Sequence, residues 1–198
     1  MRNILILALL FMTHGAMAQP AVAVVLFLSG TATYAPSDTS TAIVLKPGQK
    51  LREGSVLRTG PGSRLRLELS DGTSLALGAT ATLRLEHLTE PGDRRPTRFM
   101  HILGFLRVEA APQHGAGLEI DSDSVVAAVR GTEWIQSSIE GQTAIFTESG
   151  RVALRGRGGP VTLTTGRGVT FNQFERHTPI DLWDVLKIIG FQLETELS

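Results

Sequence analysis

The chain reads as an all-β protein, and three features of its 198 residues carry that expectation. Between Val22 and Phe171 apolar residues recur at every second position or in short β-branched runs. Each run is closed by Gly, Pro, Asp or Ser, and the runs return at roughly ten-residue spacing, the rhythm of short strands in a sandwich, barrel or solenoid. The architecture expected is a short-strand β-solenoid or a twisted β-sandwich, followed by a C-terminal amphipathic helix.

Residues 1–18 stand apart. Arg2 precedes an apolar run from Ile4 to Met12 and then Ala16-Met17-Ala18, a small-x-small cleavage signature, so a signal peptide removed before Gln19 is expected. A run of about ten apolar residues is too short for a hydrocarbon core that needs about twenty, and no later stretch reaches that length. The expected product is periplasmic or secreted, with no transmembrane segment.

The β domain is expected over 19–175. Val22 to Leu28 is a nearly continuous apolar run ended by Ser29-Gly30; Thr31 to Tyr34 continues as a second strand before Pro36, and Lys46-Pro47-Gly48-Gln49 is a turn signal. Leu65, Leu67 and Leu69 alternate with Arg64, Arg66 and Glu68, so a strand there places leucines on one face and charges on the other. Ser70-Asp71-Gly72-Thr73 turns the chain, and the alternation resumes at Leu75 and Leu77 and again at Leu83 and Leu85, suggesting a meander or a coil of stacked strands. Glu90 to Pro96 is charged and proline-bounded, an exposed loop. Further strands are expected at Phe99–Val108, Leu118–Asp121, Val125–Val129, Glu133–Ser138, Thr143–Phe146, Gly150–Leu154, Val161–Leu163 and Gly168–Phe171. After Thr178-Pro179 the apolar spacing becomes helical, and 176–198 is expected to hold a helix whose apolar residues include Trp183, Leu186, Ile189 and Phe191. So apolar a helix must be covered. Capping the open end of the strand stack is the preferred role, and docking in a partner's groove or on a membrane surface would use the same face.

Composition narrows function. With 19 basic and 19 acidic residues, removal of the segment carrying Arg2 leaves 18 − 19 = −1, which excludes a strongly basic nucleic-acid binder. The absence of cysteine excludes disulfides, thiolate metal sites and a cysteine nucleophile.

An ordered set of short motifs resembles the FecR domain, the periplasmic module first known from regulators of iron-citrate uptake. The opening strand with Gly30, the stretch from Leu45-Lys46-Pro47-Gly48 to Val56-Leu57-Arg58-Thr59-Gly60, the Asp71-Gly72 turn between leucine strands, and Ala128-Val129-Arg130-Gly131-Thr132-Glu133-Trp134 carry the resemblance. Gly150-Arg151-Val152 and Leu163 to Gly168 are similar to the closing strands. The resemblance implies the fold and an extracytoplasmic compartment. Two departures qualify it: Ser55 stands where the family usually has an acidic residue, and a signal peptide stands where its regulators carry an anti-sigma segment and a membrane helix. The second departure argues against the signalling role for which the family is named.

Among candidate site residues, Arg130-Gly131-Thr132 is read first as a corner, with Gly131 turning the chain and Arg130 bonding loop carbonyls or a carboxylate such as Glu133 or Asp123. The functional reading makes Arg130 a receptor for an anion on a partner. Asp71-Gly72 is read as a turn, since a calcium site needs six to eight oxygen ligands. Asp121 and Asp123 offer an oxygen pair on one face without a third ligand. Histidines 87, 101, 114 and 177 lack ligand spacing and read as surface or loop residues. No Gly-x-Ser-x-Gly elbow occurs, and Gly156-Arg157-Gly158-Gly159 reads as a hairpin. No catalytic residue, metal site or cofactor is therefore expected. The expected function is a non-catalytic envelope module that binds or scaffolds protein or glycan partners. The alternatives are a periplasmic sensor acting in trans on a membrane regulator or sigma-factor system, and a hydrolase of envelope polymers acting through carboxylates such as Asp121 and Asp123.

Overall fold

The computed structural model describes residues 23–37, 40–90, 92–112, 117–174 and 177–182, and these form strands and turns with no helix. The strands before the midpoint are β1 (Ala23–Ser29), β2 (Ala32–Ala35), β3 (Ile43–Val44), β4 (Lys50–Leu51), β5 (Val56–Thr59), β6 (Arg64–Leu69), β7 (Ser74–Leu77) and β8 (Thr82–His87). The long β9 (Thr97–Glu109) follows. Then come β10 (Leu118–Asp121), β11 (Val125–Val129), β12 (Glu133–Ile139), β13 (Gln142–Ser149), β14 (Arg151–Gly156), β15 (Gly159–Thr164), β16 (Arg167–Asn172) and β17 (Asp181–Leu182).

Hydrogen bonding joins all of these into one sheet that does not close, and the sheet folds into two layers because β9 belongs to both. One layer runs β4-β1-β6-β7-β9-β12-β13-β16-β17. The other runs β3-β2-β5-β8-β9-β10-β11-β14-β15. Pairing is antiparallel throughout except between β9 and β10. Leucines, valines and aromatics from both layers, with Trp134, Phe99 and Phe171 the largest, fill a single core.

The side chains of β9 record its passage between layers. Thr97, Phe99 and His101 point inward; Ile102 and Leu103 are both partly exposed; then Gly104, Leu106 and Val108 point inward. The inward phase of a period-two strand thus slips by one residue, which sends the second part of β9 into the other layer. Gly104 makes the slip possible. Its φ is +88°, and a Cβ there would stand 2.7 Å from the Ala81 Cα. Only glycine fits such a backbone approach.

The alternating leucines fall as the sequence predicts: Leu65, Leu67, Leu69, Leu75, Leu77, Leu83 and Leu85 are all buried. They do not form one meander. The β6–β7 hairpin lies in the first layer, and the chain crosses at Gly78-Ala79-Thr80 to place β8 in the second. Buried Thr59 stitches this crossing, its hydroxyl donating to the Gly78 carbonyl at 2.7 Å and accepting from the Ala81 amide at 2.8 Å. Beyond β9, hairpins alternate between layers. β10–β11 and β14–β15 stack in the second, β12–β13 and β16–β17 in the first.

The sequence expectation of helical spacing from Ile180 differs at its start. Asp181 and Leu182 are extended and pair with Gly168 and Arg167, while Thr178 exchanges two hydrogen bonds with Thr170. An extended chain here satisfies edge groups of β16 that a helix would leave unpaired. The rest of the expected helix, with Trp183, Leu186, Ile189 and Phe191, and the expected signal peptide at 1–18 lie outside the described residues. No helix of the described residues is long and apolar enough to cross a membrane.

Candidate functional site

The Arg130-Gly131-Thr132 step is an interlayer corner. β11 ends at Val129 in the second layer and β12 begins at Glu133 in the first. Gly131, with φ +58°, makes the left-handed turn the crossing needs. Thr132 anchors it. Its buried hydroxyl donates to the Arg151 carbonyl at 2.9 Å, with the Arg130 carbonyl sharing the proton at 3.2 Å, and its own carbonyl accepts from the Ala110 amide at 2.9 Å. The corner is therefore held by Gly131 and Thr132.

Contrary to expectation, the Arg130 side chain makes no anchoring bond among the described residues, neither to a loop carbonyl nor to Glu133 or Asp123. It is exposed and lies back across Gly117, its Nε 3.6 Å from where a Cβ on that glycine would stand. It lines a groove of about 410 Å³ on the outer face of the second layer. The groove floor is a cross-strand row, in which Glu119 faces Ala128, Ala128 faces Ala153 and Ala153 faces Thr162. Arg151, at the start of β14, joins Arg130 at its wall. The sequence places Arg151 only in the closing-strand motif and does not show it beside Arg130, because that relation is set by strand register, Val129 opposite Val152.

Asp71 and Gly72 form the expected turn between β6 and β7. The Asp71 carboxylate accepts the Thr73 amide at 2.9 Å, Gly72 has φ +85°, and Leu69 and Thr73 close the hairpin. Asp121 is engaged by Arg98, whose Nε lies 3.8 Å away, and burial raises its pKa. Asp123 lies exposed in the turn before β11, and no group of three metal-ligating side chains occurs among the described residues. The Gly156–Gly159 stretch is the β14–β15 hairpin, as expected.

Two histidines depart from the surface placement expected of them. His101 is fully buried, its Nδ1 accepting from the Gln136 Nε2 at 2.9 Å across the core, which leaves the proton on Nε2. Gln136 in turn accepts weakly from the Trp134 indole at 3.5 Å. Loss of solvation lowers the His101 pKa to about 4, so the ring is neutral. His87 is mostly covered and ties Glu53, at 2.9 Å, to Asp93, at 3.0 Å. Asp93 is lowered to about 2, first by the Arg95 amide and then by its guanidinium, and so fixes the Glu90–Pro96 loop to the end of β8. Strand alternation alone did not distinguish these positions from surface ones. His177 is partly exposed against the Phe171 ring, and His114 lies outside the described residues.

A family model described as FecR protein matches residues 55–153. Two crystal structures of a "putative anti-sigma factor" from Parabacteroides distasonis ATCC 8503 share the fold, one at 14% identity with a TM-score of 0.60 and the other at 15% with 0.59. Each match covers 69% of this chain and 63% of that protein, so the chain spans less than two thirds of the solved relative's length. No curated protein matches the chain.

Proposed function

The chain belongs to the FecR protein family, and from that premise we propose that it is a non-catalytic regulatory or sensing module that works in the bacterial envelope through contact with a protein partner. The observation that carries this reading is the extent of the match. It takes in β5 through the first half of β14, and with them both layers, the Asp71-Gly72 turn and the Arg130-Gly131-Thr132 corner. A fold shared with a protein described as an anti-sigma factor favours regulation over passive scaffolding. Contact is favoured over turnover because the two acids a hydrolase would use are differently placed, Asp121 partly buried with Arg98 at 3.8 Å and Asp123 exposed in the turn before β11. Export rests on residues 1–18, whose charged start, apolar run and Ala16-Met17-Ala18 site have the form of a secretion signal.

The test is in-cell cross-linking of the tagged full-length chain, with fractionation and N-terminal sequencing of the recovered protein. A product beginning at Gln19 in the envelope fraction, cross-linked to a defined protein, is expected. Cytoplasmic protein that keeps residues 1–18, or an envelope protein that cross-links to no partner, overturns the reading.

A further inference from the structure

Resting on the reading that this module acts by protein contact, we propose that Arg130 and Arg151 together form a receptor for a carboxylate on an acidic, extended segment of the partner. Val129, the last residue of β11, is paired with Val152, so Arg130 just beyond β11 and Arg151 at the start of β14 adjoin at the end of the ladder. The Thr132 hydroxyl bridges their two carbonyls and fixes the backbones side by side. Neither guanidinium has an ion-pair or hydrogen-bond partner among the described residues, whereas Arg98 is matched to Glu119 and Arg107 to Glu148. The one acid lining the groove, Glu119, is the one Arg98 holds. Two cations on adjoining backbones, unpaired among the described residues, are suited to an incoming anion.

The form of the groove selects the anion. The strands beneath it, β10, β11 and β14, are each paired on both sides, so their backbone amides are used within the sheet and these strands offer no nest of N–H groups to a phosphate. The donors available are planar guanidinium forks, which match the two oxygens of a carboxylate. Between Glu119 and Thr162 the floor is Ala128 and Ala153, flat and uncharged, which lets a peptide backbone lie close while its acidic side chain reaches the arginines.

The experiment follows the arginine Nε–Hε resonances of the full chain by NMR during titration. The probes are a blocked peptide of alternating Glu and Val, its Gln counterpart, inorganic phosphate, and vesicles containing phosphatidylglycerol. We expect saturable shifts of the Arg130 and Arg151 signals with the Glu peptide and none with the Gln peptide. Arg130→Gln and Arg151→Gln should each weaken binding at least tenfold at unchanged Tm. Equal binding of the Gln peptide, tighter binding of phosphate or vesicles, or shifts confined to other arginines such as Arg155 overturns the proposal. The double variant is also carried through the in-cell cross-linking. Full recovery of the partner by that variant removes this site and leaves the regulatory reading standing, whereas no partner with the unaltered chain removes both.

Discussion

Lowering the pH should destabilise this protein through His101. The group has a folded pKa of about 4 because it is buried, against about 6.5 in an unfolded chain. Between those values the unfolded chain binds a proton that the folded chain refuses, so stability falls as pH falls below about 6.5, and the loss is complete below about 4. A gap of this size corresponds to about 3 kcal/mol in full, of which about 2 to 3 kcal/mol has gone by pH 4.5. Urea melts of the full chain and of His101→Leu from pH 7.5 to 4.5 isolate the effect. The variant loses the Gln136 contact and starts less stable, yet its stability should change with pH by about 2 to 3 kcal/mol less than that of the unaltered chain. Parallel pH profiles for the two proteins, or a His101 ring that titrates near 6.5 by NMR while the protein is folded, would refute the argument.

Other substitutions test the joints of the fold. Gly104→Ala should cost about 3 kcal/mol or more in a urea melt, because it adds backbone collision to a strained φ. Gly48→Ala, where φ is +79° but nothing lies within 4 Å of the added Cβ, should cost only about 1 kcal/mol. Thr132→Val, which leaves the Arg130 and Arg151 carbonyls without their donor, should lower stability by about 1 to 3 kcal/mol, with Thr132→Ser recovering most of it. Asp71→Ala should cost about 1 kcal/mol through the lost Thr73 amide contact, and Asp71→Asn, which keeps an accepting oxygen, should melt within a few tenths of the unaltered chain.

Much of this architecture is written locally. Alternation assigns Leu65 through Leu85 to the core, and Asp71-Gly72 and Gly156–Gly159 announce their hairpins. Period two says which residues face inward but not which layer they join, so β7 and β8 looked like neighbours although they lie in different layers. The phase slip in β9 does leave a trace, since apolar positions 99, 100, 102, 103, 105, 106 and 108 break the alternation around a glycine. β3, β4 and β17 span two residues each, too few for any period to show. At the groove, Arg130 and Arg151 were each visible in a separate motif, but their nearness entered through register, and register between distant strands is a property of the assembled sheet.

The continuity of β9 through both layers bears on how the protein can be divided. Severing the chain in the loop after Glu109 gives one fragment whose β9 keeps β7 and β8 but has lost β10 and β12 from its other edge, and another whose β10 and β12 have lost the strand they flank. Neither piece is a self-sufficient unit, and each presents the raw edge that fits the other. Made together, they should reassemble into a nicked but whole molecule; made singly, they should aggregate.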